Sequence, residues 1–264
     1  VTKSINRLEG ELGVQLLHRT TRRMHLTEYG ADYHERCKQI LAELEDAESS
    51  IRNANVSASG LVRMALPPSF ARMTVIPALP ELYEKNPNIV LDLCLKSQTA
   101  NPIEGGFDLV VHSGRLADSL LINRILVRGA QKTVASKNYL DSHGVPETPA
   151  DLAKHNCIVG AFGPGWHFRE KDGSDETVRV SGKLITDNGD ILRESAVQGL
   201  GIAQATWWLF REDLRHGRLV PILQDFEIEA DPISIVFPAT RRTPAKVRAV
   251  VNFLLKITRG DKAL

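Results

Sequence analysis

At 264 residues the chain is long enough for two compact domains, or for one domain of two lobes carrying an accessory element. Hydrophobic residues at 42% and charged residues at 25% are ordinary values for a globular protein. A net charge of +1 excludes a protein that coats nucleic acid over its whole surface, so any such contact must be local. The three cysteines, Cys37, Cys94 and Cys157, are odd in number, far apart and without CxxC spacing. They point to a reducing compartment and exclude a disulfide framework or a zinc ribbon. No apolar run approaches the roughly 18 residues of a membrane span, and the N-terminus does not read as a signal peptide. The expectation is a cytoplasmic protein that does not enter a membrane.

Residues 1–12 repeat apolar side chains at helical spacing, with Val1, Ile5, Leu8 and Leu12 on one side. The other side carries Thr2, Lys3, Asn6 and Arg7, groups of the kind that reach phosphates and base edges. Gly13 is placed to stop this helix. A short apolar segment, Val14 to Leu17, leads into a basic loop, Arg19-Thr20-Thr21-Arg22-Arg23, and the chain returns through Met24, His25 and Leu26, so the loop lies between two short extended pieces. Five basic residues stand against two acidic ones from Val1 to Thr27. Charge alone fits a solvated helix and turn equally well. The order of residues says more: Leu12-Gly13-Val14-Gln15-Leu16-Leu17-His18-Arg19, the basic loop, then Leu26-Thr27-Glu28-Tyr29-Gly30. This series resembles the end of the winged helix-turn-helix of LysR-type transcriptional regulators: recognition helix, wing and the start of the next helix. The resemblance implies DNA as a partner, with Thr2 and Lys3 at base edges or phosphates and Arg7 a further contact. Arg22 and Arg23 in the wing would touch the backbone or the minor groove. The family domain opens with two more helices, so residues 1–27 are expected to be a partial head. A recognition helix docks only when its preceding helix sets its angle, and a chain starting here should bind DNA weakly.

Thr27 is a plausible N-cap for a helix over residues 28–55. Tyr33, Cys37, Ile40, Leu44, Ala47 and Ile51 fall at alternating steps of four and three, the repeat of a two-stranded seam. A homodimer through this helix is expected; packing of the helix on its own domain is the alternative. The resemblance implies the same, since this is the family's linker helix, with a homodimer or homotetramer completed by the effector domain. Residues 53–60, NANVSASG, read as a hinge.

From residue 61 strands and helices alternate, the pattern of an α/β domain. Strands are expected at 61–66, 88–96, 107–111, 121–127, 132–136, 157–160, 179–186, 202–204, 219–223 and 233–237. Helices are expected at 71–86 (broken or kinked by Pro77 and Pro80), 138–143, 151–155 with Asp151 as cap, 190–198, 207–216 and 245–257. Gly106-Phe107-Asp108-Leu109, Gly144-Val145-Pro146 and Gly199-Leu200-Gly201-Ile202 extend the LysR resemblance across the chain. It implies two Rossmann-like lobes resembling type 2 periplasmic binding proteins, preceded by the linker helix and the partial winged helix-turn-helix. The domains are then 1–27, a linker and hinge at 28–58, and an effector-binding domain at 59–264. Lobe I takes about 60–131 and 235–264, lobe II about 132–234, with crossovers near 129–134 and 231–237.

In open α/β sheets ligands bind beyond the carboxyl ends of strands, where helix N-termini converge. Ser69, the pair Ser97 and Thr99, His112 with Ser113, and Asn188 stand at such ends. Their hydroxyl, amide and imidazole groups suit a small, anionic metabolite, with Phe162 and Trp166 as an apolar wall. Taken singly, each polar residue is as easily a helix cap or turn former. No Walker loop, GxSxG, HExxH or other metal spacing occurs, and Cys157 reads as a buried small residue. No catalytic residue, metal or cofactor is therefore expected. The reading is a DNA-binding regulator set by a small-molecule effector. A stand-alone solute-binding protein of the same fold is the alternative, disfavoured by the heptad helix.

Overall fold

In a computed structural model of the chain, the described residues are 2–19, 24–34, 36–37, 58–96, 105–114, 121–170, 172–238 and 243–259. The chain divides into two compact units, Val1–Val56 and Ser57–Leu264.

In the first unit, α1 (Thr2–Leu12) ends where expected, with Gly13 following at φ +70°. Strands β1 (Leu17–Arg19) and β2 (Met24–Leu26) pair antiparallel, Leu17 opposite Leu26, as a wing. The Glu9 carboxylate accepts from the amides of Leu16 (2.8 Å) and Leu17 (3.1 Å), tying the wing to the helix. Thr27 caps the next helix as anticipated: its hydroxyl accepts from Gly30 N at 2.9 Å and donates to the Gln15 carbonyl at 2.7 Å. A Cβ on Gly30 would lie 1.9 Å from the Leu16 carbonyl oxygen, so the helix start can lie against the wing only without a side chain there. Residues 28–34 and 36–37 are helical and include Tyr33 and Cys37. Ile40, Leu44, Ala47 and Ile51 of the heptad lie outside the described residues, as do Arg22, Arg23, Ser97 and Thr99.

The second unit contains two sheets. The first has the order β4-β3-β5-β13-β6, formed by β3 (Ser59–Leu66), β4 (Asn88–Leu95), β5 (Leu109–Ser113), β6 (Leu121–Val127) and β13 (Ile233–Pro238). Strands β3, β4 and β5 are parallel, and β13 runs antiparallel to both β5 and β6. Strand β3 starts inside the expected hinge: Ser59 and Gly60 pair with Asn88 and Ile89. The second sheet, order β12-β7-β11-β8, comprises β7 (Gln131–Ala135), β8 (Cys157–Ile158), β11 (Ile202–Thr206) and β12 (Val220–Ile222). The chain passes between the sheets twice. The two passages lie side by side, with Ala230 N donating to Gly129 O (2.8 Å) and Gln131 N to Ile228 O (2.9 Å).

Each lobe buries its own core. In lobe I, Val62, Met64 and Leu66 of β3 meet Phe70, Val75 and Leu82 from one side helix. Val247, Val250, Val251 and Leu254 reach the same core at steps of three, one and three from α6 (Ala245–Thr258), the spacing that keeps one stripe on a helix. In lobe II, Tyr139, Leu152, Cys157, Trp166, Phe168 and Ile202 pack together. Asp213, fully buried on α5 (Trp207–Arg215), is held by Arg193 at 2.5 and 2.7 Å and by Arg218 at 2.7 Å.

Several sequence expectations are corrected. The prolines do not break the first side helix, α2, which runs through Pro68–Phe70, a π-helical Ala71–Val75 and Ile76–Lys85. The wider π turn lies just ahead of Pro77, where an α turn would bring the ring against the carbonyl four residues back. The expected strand 179–186 is instead the hairpin of β9 (Gly165–Arg169) with β10 (Asp175–Arg179), followed by irregular chain joined through the bridge Val159–Ile185. Trp166 sits on that hairpin in the core, so it is no wall of the cleft. Asp151 is not the cap of its segment but the third residue of a 3-10 turn, Pro149–Lys154. Thr148 is the cap, and Asp151 closes the box. Lys154 and Thr148 hold the Asp151 carboxyl well below the usual carboxylate range.

Asp213→Ala removes the buried carboxylate that holds Arg193 and Arg218, leaving Arg193 only the more exposed Glu194 at 3.5 Å among the described residues. It should lower unfolding stability by about 3–5 kcal/mol, read as a fall in the urea midpoint.

Candidate functional site

Where the two sheets face each other, the N-terminus of α2 meets that of α4 (Gly189–Val197). Ser69 opens α2 and is buried, and its hydroxyl has no hydrogen-bond partner among the described residues. A Cβ on Gly189 would stand 2.8 Å from that hydroxyl oxygen, so the approach depends on the missing side chain. Asn188 caps α4, its Oδ1 accepting from Asp190 N (2.8 Å) and Ile191 N (3.2 Å). That is the local role considered above, and it leaves the side-chain amide nitrogen without a partner among the described residues. The α2 terminus has no side-chain cap, because Pro67 and Pro68 supply none.

A cavity of about 120 Å³ lies at this meeting point. Ser69, Ser113, Phe162 and Asn188, four of the residues singled out from sequence, line it together. Phe162 is 73% exposed, so it forms an open rim rather than a buried wall. His112 is corrected: it is buried within β5 and does not line the cavity among the described residues, whereas its neighbour Ser113 does. Successive strand residues point to opposite faces, so one of the pair had to be lost.

Sequence reading missed Gln204, Thr206, Trp208 and Leu209, which line the cavity from β11 and the start of α5. This junction is another strand end leading into a helix, and the rule that found Ser69 and Asn188 applies to it. Gln204 is fixed, its Nε2 donating to Thr133 Oγ1 (3.1 Å) while its Oε1 accepts from Gln131 Nε2 (3.3 Å). The Trp208 indole N–H is buried without a hydrogen-bond partner among the described residues, and the ring meets Phe70 edge-on at 5.8 Å. The cavity therefore offers hydroxyl, amide and indole donors. Asp187 is the only charged side chain among its described lining residues.

A second, more open cavity of about 470 Å³ shares Gly160, Ala161, Thr186 and Asp187 with the first and adds Arg179 and Ser181. Among the described residues no cluster of His, Cys, Asp or Glu could hold a metal ion, and no helix is long and apolar enough to cross a membrane. Asp108 spends its carboxylate on the Arg63 amide at 2.8 Å.

The chain matches the LysR substrate-binding domain over residues 56–259 and the bacterial regulatory helix-turn-helix of the lysR family over residues 1–31. It belongs to the LysR family of transcriptional regulators. A regulator from Haemophilus influenzae is 30% identical over 255 residues, spanning 96% of this chain and 88% of that protein. The solved structure of the LysR-type regulator CrgA of Neisseria meningitidis is similar with a TM-score of 0.76 at 28% identity, covering 98% of this chain and 88% of CrgA. Full-length AphB of Vibrio cholerae follows at 0.66 and 27%, over 97% of this chain and 88% of AphB. The second unit of this LysR protein is thus an effector-binding domain, and regulators of the family bind DNA and small effectors and form oligomers.

Burial pushes the Cys157 thiol up to about 12. At pH 8 only about one molecule in ten thousand would then carry the reactive thiolate. Iodoacetamide should leave Cys157 unmodified in the folded protein and label it fully in urea, as read by peptide mass spectrometry.

Proposed function

We propose that this regulator is set by a small anionic metabolite held in the 120 Å³ cavity, and that it acts by binding rather than by a chemical step. The observation that carries this reading is the convergence of Ser69, Ser113 and Asn188 with the Trp208 indole on one cavity between the lobes. Their donors can hydrogen-bond a carboxylate, and the uncapped α2 terminus adds backbone amides directed the same way. Ser97 and Thr99, which lie outside the described residues, belong to the same proposed set. Effector binding shifts the relative populations of lobe arrangements and so the placement of paired subunits on DNA.

The domain limits follow the same reading: a reader head at 1–27, a pairing helix and hinge at 28–58, and the sensor at 59–264. The protein works in the cytoplasm as a homodimer or homotetramer. Thr2, Lys3 and Arg7 on α1 face the major groove, while Arg22 and Arg23 in the wing grip the backbone or minor groove. Supporting this for Arg7, its side chain is 83% exposed and, among the described residues, pairs with Glu11 at 3.4 Å.

Fluorescence anisotropy with operator DNA tests the head. Arg7→Gln should weaken binding across all sequences and reduce the salt slope by about one unit. An unchanged slope removes Arg7 from the interface. Thermal unfolding against a panel of small carboxylates tests the sensor. At least one should raise the midpoint of the wild-type chain, and Ser69→Ala should abolish the rise. A rise that survives Ser69→Ala places the ligand elsewhere.

A further inference from the structure

The cavity poses an electrostatic problem that its own lining does not solve. Its described residues include no Lys or Arg, and Asp187 brings a negative charge. A carboxylate entering there would meet neutral donors and one repelling anion. The nearest answer lies one helical turn along α2. Arg72 follows Ser69 by three residues, a spacing that places two side chains on neighbouring positions of one helix face. Its guanidinium is already engaged across the cleft, on the residue next to Gly189: Nη2 reaches Asp190 Oδ1 at 2.5 Å and Nε reaches the same oxygen at 3.1 Å. The pair joins lobe I to lobe II at the point where Ser69 meets Gly189.

Three features make this pair exchangeable rather than structural. Arg72 is more than half exposed, and ion pairs of that kind add little to stability. Both its bonds fall on a single oxygen of Asp190, so the fork is not matched to the two oxygens of a carboxylate as a bidentate pair would be. Arg72 also lies in the π-helical turn Ala71–Val75, an irregularity found often at functional positions. By contrast, Arg193 holds the buried Asp213 through both carboxylate oxygens.

We propose that Arg72 determines the charge specificity of the site: an anionic effector displaces Asp190 and takes the guanidinium, while Asp190 keeps the arginine neutralised until then. The effector class is a small compound with a carboxylate, its body against Trp208 and Phe162. This rests on the cavity being the effector site. Losing Asp190 as partner also loosens the tie between the lobes, so occupancy of the site and the interlobe contact are exclusive states of one guanidinium.

The test uses the full chain with acetate, propionate and benzoate, each beside its neutral amide, in thermal-shift and calorimetric titrations. Asp190→Asn leaves Arg72 without its competitor and should bind the best carboxylate about tenfold more tightly than wild type, the order expected for one charge-assisted hydrogen bond. Arg72→Gln should lose at least about tenfold for that carboxylate while amide binding is unchanged, and Arg72→Lys should recover part of the loss. Circular dichroism of each variant confirms that it is folded. If Asp190→Asn gains no affinity for any of the carboxylates, the proposal is overturned. It is equally overturned if Arg179→Gln, in the adjoining cavity, removes carboxylate binding and Arg72→Gln does not. Carboxylate binding that survives Ser69→Ala and Arg72→Gln together would sink the cavity reading itself, whereas loss in Ser69→Ala alone would spare the cavity and refute only the role of Arg72.

Discussion

The close approach of two helix starts, Ser69 on α2 and Gly189 on α4, is the contact on which the sensor's design depends. Each lobe has a sheet and a core of its own, and Trp207 of lobe II completes the core of lobe I. What joins them is the pair of crossing passages, the polar meeting point with an exposed ion pair beside it, and apolar contacts in which Trp207 enters the lobe I core and Trp208 meets Phe70. A Cβ on Gly189 would push the Ser69 hydroxyl away, so the two termini can share a cavity only because position 189 is bare. A ligand that contacts both lobes at this point can bias their arrangement to the extent that it binds one arrangement better than the other.

The polar groups at that meeting point divide their labour. Asn188 and Gln204 are committed to local structure, one capping α4 and the other bridging β7 and β11. Ser69 and the Trp208 indole have no such commitment among the described residues. Burying a donor without a partner costs free energy, and the Trp208 indole N–H is buried in that way, so a ligand that accepts from it gains most by entering. The same accounting explains why Asp108 and Cys157 do little there: one carboxylate is used on Arg63, and one thiol is held protonated by burial.

Sequence and structure agree most where a local rule has one answer. Gly13 after α1, Thr27 before the next helix, and the full extent of β6 at Leu121–Val127 were legible because periodicity and caps act over a few residues. The strand-end rule points to Ser69, Ser113 and Asn188, and the glycine-interrupted loop to Phe162, whereas the junction at Thr206 and Trp208 reads as an ordinary helix start. His112 went wrong because a two-residue strand motif carries no sign of which face it presents. The β9–β10 hairpin is hard to read from sequence because its alternation, with Trp166 and Phe168 inward, is interrupted by the polar series Glu170-Lys171-Asp172-Gly173-Ser174 and resembles a loop. The family resemblance, by contrast, rested on long ordered series of residues, and both family matches agree with it.

The three tryptophans supply reporters of known placement. Trp166 is buried in the lobe II core, Trp207 donates its indole proton to the Arg128 carbonyl at 3.2 Å, and Trp208 alone of the three lines the cavity. In a nitrogen-labelled sample the indole N–H resonances can be followed while a small carboxylate is titrated. A ligand held between the lobes should move the Trp208 indole resonance strongly, with Trp166 almost still. A saturating ligand that shifts Trp166 and leaves Trp208 unmoved would contradict the account.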